Sequence, residues 1–489
     1  MGTKHGIEYV RGGRCPVHEL IKVPEGAPEC PDHPIWLGVF EGSWHDIGRQ
    51  FGESEGVRAY IAPLYDHLFG LAAKEFPVGD LRKCLHSMEE HLNMYEPHFV
   101  EALKGETESV AGVLAKAKHS RELSDYEKVL LINFNSYSIL YAPYARNDCS
   151  CITFLPAATV DGKIMVGRNT QLGRGIGNYG VAYAAVPPSP AHRFITNTYA
   201  GMLFGLGIFS DAPLYISSTA GIGEARPGIE EDFLLAKAVI YGNSIEEATD
   251  LIIHGTEEYR KASGRKTTYR AYPTNYAIVD DERAVVVESL IDRWAIRSSG
   301  DFGEKDFIIT TNHQLCEYSY DENDTWTDVP MYDESICKKF GGCGTEMDID
   351  LKDKMFAGHD TEDLKIPSPR GGMLGSWTRY WALYWSAVYN HGQVDMKMLQ
   401  GTQFLGSRFW HDLNGKKVEY QQDPKTGEWI QVYYLYPHST VEGNGGGYPE
   451  QYNNEIPGSL TCMPADRTAY WQLYKPSLWE GDWEKASFK

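Results

Sequence analysis

The sequence contains no Cys-x-x-Cys pair, no apolar run approaching the length of a membrane span and no excess of basic residues. The first absence excludes zinc-ribbon and thioredoxin-type sites. The second excludes a helical membrane span. The third bears on partners: Lys plus Arg is 46 against 67 Asp plus Glu, a net charge of −21. Nucleic acid and anionic membrane surfaces both require a basic footprint, so neither is expected as a partner. No basic-then-apolar leader opens the chain, which begins Met1-Gly2-Thr3-Lys4-His5, and Gly6 stands where a myristoylation signal carries Ser or Thr. A cytoplasmic location is the expectation. The nine cysteines, an odd number, are then read as reduced thiols. There is no repeat at a solenoid period. His313, Cys316 and Glu317 lie close in sequence, but no second histidine completes a metal set. Neither a metal nor an organic cofactor is expected.

What is present is a chain of 489 residues, 42% apolar and 23% charged, long enough to bury a large core. Residues 1 to about 35 show little periodicity and read as an irregular lead-in. Pro34–Phe40 reads as a strand, and Ser43 with Asp46 three residues later reads as a helix start. Apolar residues at helical spacing then predict two segments over 44–75 and helices over Leu81–Tyr95, Phe99–Leu114 and Leu123–Leu140. The first 145 residues are therefore mainly helical. From Cys149 the pattern becomes short strands: Ile152–Leu155, Ile164–Val166, Val181–Val186, Phe194–Thr198, Gly205–Phe209 and Leu214–Ser218. Helices follow over Glu230–Tyr241 and Ser244–Ile253. Strands return at Tyr276–Val279, Ala284–Glu288, Trp294–Ile296 and Phe307–Thr310. Helices are expected over Ser376–Tyr389 and Met396–Phe404, then a Gly-rich loop over Val441–Pro449 and strands near Ser459–Met463 and Tyr470–Tyr474. Strands, two helices and strands again make an α+β class with layered architecture.

The break in texture falls on Arg146-Asn147-Asp148-Cys149-Ser150-Cys151. A run to Leu155, a turn at Asp161-Gly162 and a second run ending Gly167-Arg168-Asn169-Thr170-Gln171 form a hairpin. A cysteine opening one strand and an arginine closing the next bring a thiol and a guanidinium together, which favours the nucleophilic thiolate. Cys149 is accordingly read as a nucleophile that becomes N-terminal by self-cleavage after Asp148. Cys151, two residues on, points the same way and is read as core. Each residue taken alone has a plainer reading. Cys149 is a small buried hydrophobe, Arg168 a strand-end cation, Asn275 a turn residue, Arg379 a helix-surface cation and His313 a hydrogen-bonded structural histidine. Ser150 is the weaker alternative nucleophile.

Several segments together resemble the N-terminal-nucleophile (Ntn) cysteine hydrolases. They are Cys149-Ser150 with Asp161-Gly162 and Gly167-Arg168-Asn169, Pro273–Glu288, Thr311-Asn312-His313 and Ser376-Trp377-Thr378-Arg379. The Ser43–Gln50 helix, Gly105-Glu106 and Leu131-Ile132-Asn133 resemble the pro-segment of that group. The nearest likeness is to the autoproteolytic acyltransferases and hydrolases of the isopenicillin N acyltransferase type. Penicillin V acylase, bile salt hydrolase and acid ceramidase are more distant. The resemblance implies a four-layer αββα sandwich over 149–405, a helical pro-segment over 1–148 and an aromatic, Gly-rich extension over 406–489.

It also implies roles. Cys149 attacks the Asp148 carbonyl, and its freed α-amine, with an ordinary pKa near ~8, serves as base for its own thiol. Arg168 favours the thiolate. Asn275 offers a side-chain N–H to the oxyanion, a role worth roughly 3–4 kcal/mol. Arg379 orients the site, and a second oxyanion donor comes from Ser217-Ser218-Thr219. Gln171 stands where the group usually has the aspartate that holds the α-amine, so it accepts the same hydrogen bond without bringing a charge. The implied chemistry is hydrolysis of a C–N amide bond through a cysteinyl thioester, or transfer of the acyl group. The substrate is a small acylated amine or short peptide, and the two chains come from one precursor, with homo-oligomer formation left open. The alternatives are a dipeptidase-like peptidase and a catalytically silent binding protein with the same fold.

Overall fold

A computed structural model gives the fold. It describes residues 2–10, 36–134, 148–171, 180–205, 207–221 and 223–331. It also describes parts of 380–399, four short strands between 410 and 431, and then 458–472 and 484–489. Arg379 and the segment from Ser376 to it lie outside the described residues, as do Arg146, Asn147, the expected helix beyond Phe134 and the Gly-rich run Val441–Pro449.

The first half is built of β1 (Gly2–Lys4), β2 (Ile7–Val10), β3 (Trp36–Glu41), α1 (Trp44–Glu53), α2 (Glu55–Glu75), α3 (Val78–Tyr95), α4 (Pro97–Leu114) and α5 (Asp125–Asn133). Helix α1 starts where Ser43 and Asp46 cap each other reciprocally: the Asp46 N–H donates to Ser43 Oγ at 3.1 Å and the Ser43 N–H to Asp46 Oδ2 at 3.2 Å. Ser124 and Glu127 repeat the device at α5. Helices α1 and α4 touch backbone to backbone. A Cβ at Gly48 would sit 1.9 Å from the Ala102 carbonyl oxygen, and one at Gly105 would sit 2.0 Å from that of His45. Residues 1–35, expected to be irregular, contain β1 and β2, and this expectation is corrected. They form a short hairpin whose inner strand, β2, pairs with β22 at the far end of the chain, so local periodicity carries no sign of them.

Next come β4 (Asp148–Phe154), β5 (Met165–Gln171), β6 (Gly180–Val186), β7 (Phe194–Tyr199), β8 (Gly207–Ser210) and β9 (Tyr215–Ala220). Helices α6 (Glu231–Tyr241), α7 (Ile245–Ile253) and α8 (Glu257–Ser263) follow. Strands resume with β10 (Thr274–Val279), β11 (Ala284–Ser289), β12 (Arg293–Ser298), β13 (Phe307–Thr310), β14 (Ser319–Asp321) and β15 (Trp326–Thr327). Two small ribbons, β16 (Trp410–His411) with β17 (Lys417–Val418) and β18 (Tyr420–Gln422) with β19 (Trp429–Gln431), precede β20 (Gly458–Met463), β21 (Thr468–Gln472) and β22 (Glu484–Phe488).

Among the described residues the strands make two large sheets. One has the order β1-β2-β22-β21-β20-β5-β4-β13, and the other β15-β14-β12-β11-β10-β9-β8-β7-β6-β3. The mixed α+β class is as expected. Side chains alternate across the ten-stranded sheet. Val181, Tyr183, Ala185, Tyr276 and Ile278 join one core with α1–α7, while Ala182, Ala184, Ala277 and Val279 join a second core with Cys151, Ile164, Val166 and Ile308 of the other sheet. Helices thus cover one face of this sheet and the eight-stranded sheet covers the other. The C-terminal strands are part of the same sheet, since β20 pairs directly with β5 and sets Leu460 opposite Arg168.

The helical first half is fastened to the strands by more than apolar packing. Asn133 Nδ2 donates to the Gly201 carbonyl at 2.9 Å, and its Oδ1 accepts the Leu203 N–H at 2.8 Å. Glu106 is fully buried beside it, and burial pushes its carboxyl well above the ordinary range. No described helix is long and apolar enough to cross a membrane.

Candidate active site

Strands β4 and β5 pair with Cys149 opposite Thr170 and Cys151 opposite Arg168. Arg168 is therefore diagonal to Cys149 on one face of the hairpin, within reach of a long side chain. Its Nη2 lies 3.6 Å from Cys149 Sγ, and its Nε donates to the Ser218 carbonyl of β9 at 2.9 Å. One guanidinium thus touches the thiol and ties the eight-stranded sheet to the ten-stranded one. Both residues are 2% exposed. A charge-bearing donor against a buried sulfur favours thiolate over thiol.

The backbone nitrogen of Cys149 is held separately. Its N–H donates to Asn312 Oδ1 at 2.9 Å, and Asn312 Nδ2 donates to the Ala220 carbonyl at 2.8 Å. Asn312 sits two residues beyond β13, whose Thr310 pairs with Cys151, so the extended chain carries Asn312 alongside Cys149. Thr219 Oγ1 donates to the Thr311 carbonyl at 2.7 Å. Glu288, opposite Asn275 in the β10–β11 ladder, accepts the N–H groups of Leu315 and Cys316 at 2.9 Å. The segment from Thr311 to Cys316 is thereby pinned from both sides. Sequence reasoning singled out Thr311-Asn312-His313 but weighed only the histidine. The signal for Asn312 was its place just past a strand that pairs with the cysteine strand.

The expected residues fall out as follows. Cys149 and Arg168 meet. Asn275 belongs to the same cluster, but both its side-chain N–H bonds go to carbonyls, those of Thr311 at 2.9 Å and His313 at 3.0 Å. It braces the Asn312 segment, and donation to an oxyanion would require giving up one of these bonds. Of the Ser217–Thr219 group expected to supply a second donor, Ser217 Oγ donates to Cys151 Sγ at 3.3 Å, Thr219 Oγ1 is committed to Thr311, and Ser218 contributes its carbonyl to Arg168. Gln171 pairs through its backbone with Asp148, one step from the cysteine. Only the backbone of Asp148 and Gln171 is described. Ser150 is fully buried in the same strand. His313 bonds Thr311 Oγ1 through Nδ1 at 3.1 Å. Among the described residues no group of three or more His, Cys, Asp or Glu could hold a metal.

Two residues apart, the cysteines differ. Burial pushes Cys151 up to about 11, with Ser217 and Arg168 only partly opposing it. Sequence reasoning also missed the acids at the start of α6. Glu231 is pushed up to about 7 by burial, with the hydroxyls of Tyr272 and Thr274 and the charge of Arg168 working the other way. Burial first, then the Glu231 and Glu230 charges, hold Asp232 well above the usual carboxylate range, with Arg168 opposing. Burial raises Tyr199 as well. The Arg168 charge opposes that rise, and the Cys149 and Asp232 charges add to it.

No family model matches the chain, and no curated protein matches it. Among solved structures, it is similar to a Caenorhabditis elegans ortholog of N-acylethanolamine-hydrolyzing acid amidase. That match has 16% identity over 34% of this chain and 71% of the other, with a TM-score of 0.26. It is also similar to two variants of conjugated bile acid hydrolase from Clostridium perfringens. Each is 9% identical over 67% of this chain and 89% of its own, with TM-scores of 0.31 and 0.32. The roles assigned to residues of this chain rest on its own geometry.

Proposed function

We propose that the protein is a self-cleaving cysteine amidohydrolase of the Ntn type, with Cys149 as nucleophile. The observation that carries this reading is the double hold on one residue: Arg168 on the Cys149 thiol at 3.6 Å and Asn312 on the Cys149 nitrogen at 2.9 Å. A structural cysteine needs its buried N–H satisfied but needs no guanidinium on its sulfur. A cysteine whose own nitrogen acts as base needs both, because the nitrogen lone pair must be aimed and the sulfur must be stabilised as an anion.

In the precursor, Cys149 Sγ adds to the Asp148 carbonyl. The acyl group moves from nitrogen to sulfur, and water opens the thioester to leave Asp148 as a C-terminus and Cys149 with a free amine. The same sulfur then attacks a substrate amide. The α-amine takes the thiol proton and returns it to the leaving amine, and water releases the acyl group. Acyl transfer follows where an amine reaches the thioester before water, and a dipeptidase-like action follows where the substrate is a short peptide. A four-layer αββα arrangement, with its outer helices on the free face of the eight-stranded sheet, belongs to this reading. So do residues 1–148 as a pro-segment, 149–405 as the core and 406–489 as its extension. Arg379 is the proposed orienting residue, and Gln171 the proposed neutral acceptor for the amine.

The test is a panel of N-acyl amino acids, penicillins, short peptides and N-acyl amines assayed for released amine. At least one class should be hydrolysed by the wild-type protein and not by Cys149→Ala. Turnover that survives Cys149→Ala contradicts the assignment.

A further inference from the structure

Cys149, Arg168, Asn312 and Asn275 leave unused the acids that open α6. Glu230, Glu231 and Asp232 are 1%, 4% and 1% exposed. Acids at several other helix starts bond to backbone: Asp46 and Glu127 close capping boxes, and Glu247 accepts the Asn243 N–H at 3.0 Å. Helix α6 has no side-chain cap, and both carboxyl oxygens of Asp232 are buried without a hydrogen-bond partner. A buried carboxyl in that state is costly as an anion unless a cation faces it.

Its place in the fold is specific. Helix α6 packs on β8 and β9. Glu231 Oε2 accepts from Thr274 Oγ1 at 2.8 Å, and Thr274 pairs with Ala220. The Ala220 carbonyl accepts from Asn312, whose Oδ1 holds the Cys149 nitrogen. The acids therefore stand at the end of the ten-stranded sheet where Asn312 reaches across to Cys149. The titratable and charged groups around Asp232 are Glu230 and Glu231 on its own helix, Tyr272 just before β10, Tyr276 in β10, Tyr199 of β7 and Arg168 of β5, and Cys149 of β4 lies beyond them against Arg168.

We infer that Asp232, coupled to Glu231, is the positioning acid of this centre, supplying the counter-charge for the ammonium that cleavage creates at Cys149. The inference rests on the self-cleavage proposed above. Before cleavage the Cys149 nitrogen is a neutral amide, and the acids are stable with their protons on. Cleavage converts that amide into an amine beside the buried Arg168 guanidinium. The amine takes the thiol proton, giving thiolate and ammonium with no change in net charge, and the carboxylic acid, now facing a second cation, gives its own proton to solvent. The thiolate then balances one cation and the carboxylate the other. After Arg168, strand β5 continues Asn169-Thr170-Gln171 and offers no carboxylate for this purpose. The pair titrates as a unit, so its charge follows the site rather than either residue alone.

The test uses the mature, full-length protein, with cleavage checked by intact mass and folding by thermal melt. The readout is the pH dependence of Cys149 alkylation by iodoacetamide, followed by peptide mass. Removing a negative charge makes both thiol and amine more acidic, so Asp232→Asn should move the alkylation midpoint down by about one pH unit. Asp232→Glu should restore it. Glu231→Gln should move it in the same direction and decides the question if Asp232→Asn does not fold. An unchanged midpoint in folded, cleaved Asp232→Asn overturns the inference, as does an unchanged midpoint in Glu231→Gln where that variant decides. A wild-type protein that is never cleaved overturns the self-cleavage reading itself.

Discussion

Two of the groups of buried acids among the described residues are treated in opposite ways. Glu288 and Glu304 share Arg297, whose Nε donates to Glu288 at 3.0 Å and Nη1 to Glu304 at 3.0 Å, with Nη2 on the Ile309 carbonyl. Backbone N–H groups of Ile309, Leu315 and Cys316 and the Tyr380 hydroxyl complete the set. Glu231 has one hydrogen bond of this quality, from Thr274, and Asp232 has none. The first group is saturated and locks β11, β12 and the chain after β13 into place. On the proposed reading, the second is held ready for a charge that is not there until the chain is cut. Buried charge with every valence filled serves the fold, whereas buried charge left open, next to a nucleophile, is a feature of function.

The contrast breaks if the two groups respond alike to substitution. Arg297→Met should have the largest effect on stability, about 3–5 kcal/mol by chemical denaturation, because it strands two carboxyls without their cation. Arg168→Met should leave folding largely intact while lowering turnover by about 10²–10³-fold, the range expected for losing one charged stabiliser of the reacting atoms. Equal losses of stability in both variants would erase the distinction.

A pH effect sharpens it. The folded-state pKa of Glu231, about 7, lies above the 4.5 of an ordinary glutamate. The folded protein therefore holds a proton there that the unfolded chain releases between those values. The contribution is fully present below about 4.5 and is lost as pH rises through about 7, so stability should increase on acidification across that window. Glu106 acts in the same direction. Glu231→Gln should flatten part of the slope, as followed by melting temperature against pH. Smallest of all, in the uncleaved Cys149→Ala background Asp232→Asn should change stability at neutral pH by no more than about 1 kcal/mol, and in the stabilising direction. Fragments 1–148 and 149–489 should also stay together through gel filtration after cleavage, because α1–α5 share one apolar core with the ten-stranded sheet and Asn133 bonds into it.

Much of this was legible in the sequence because the physics is local. Amphipathic spacing marked α1 through α5, and the Ser43–Asp46 cap fixed where α1 begins. The Cys149–Arg168 approach followed from a hairpin register of two short strands. What escaped depends on pairing across long separations. The β1–β2 hairpin joins its sheet through the pairing of β2 with β22, and Asn312 became part of the site only when β13 lay beside β4. The acids of α6 read as an ordinary acidic first turn. Only their burial against Arg168 and Thr274 distinguishes them from the exposed Glu246 and Glu247 of the next helix. Asn275 was legible as a member of the cluster, but its carbonyl partners were not, and those partners decide what its N–H groups can do.

The most direct measurement is intact mass with N-terminal sequencing of the purified wild-type protein. The account predicts two chains, residues 1–148 and 149–489, with the second beginning Cys-Ser-Cys-Ile, and a single chain for Cys149→Ala. A wild-type protein that remains one 489-residue chain under conditions where it is folded would contradict it.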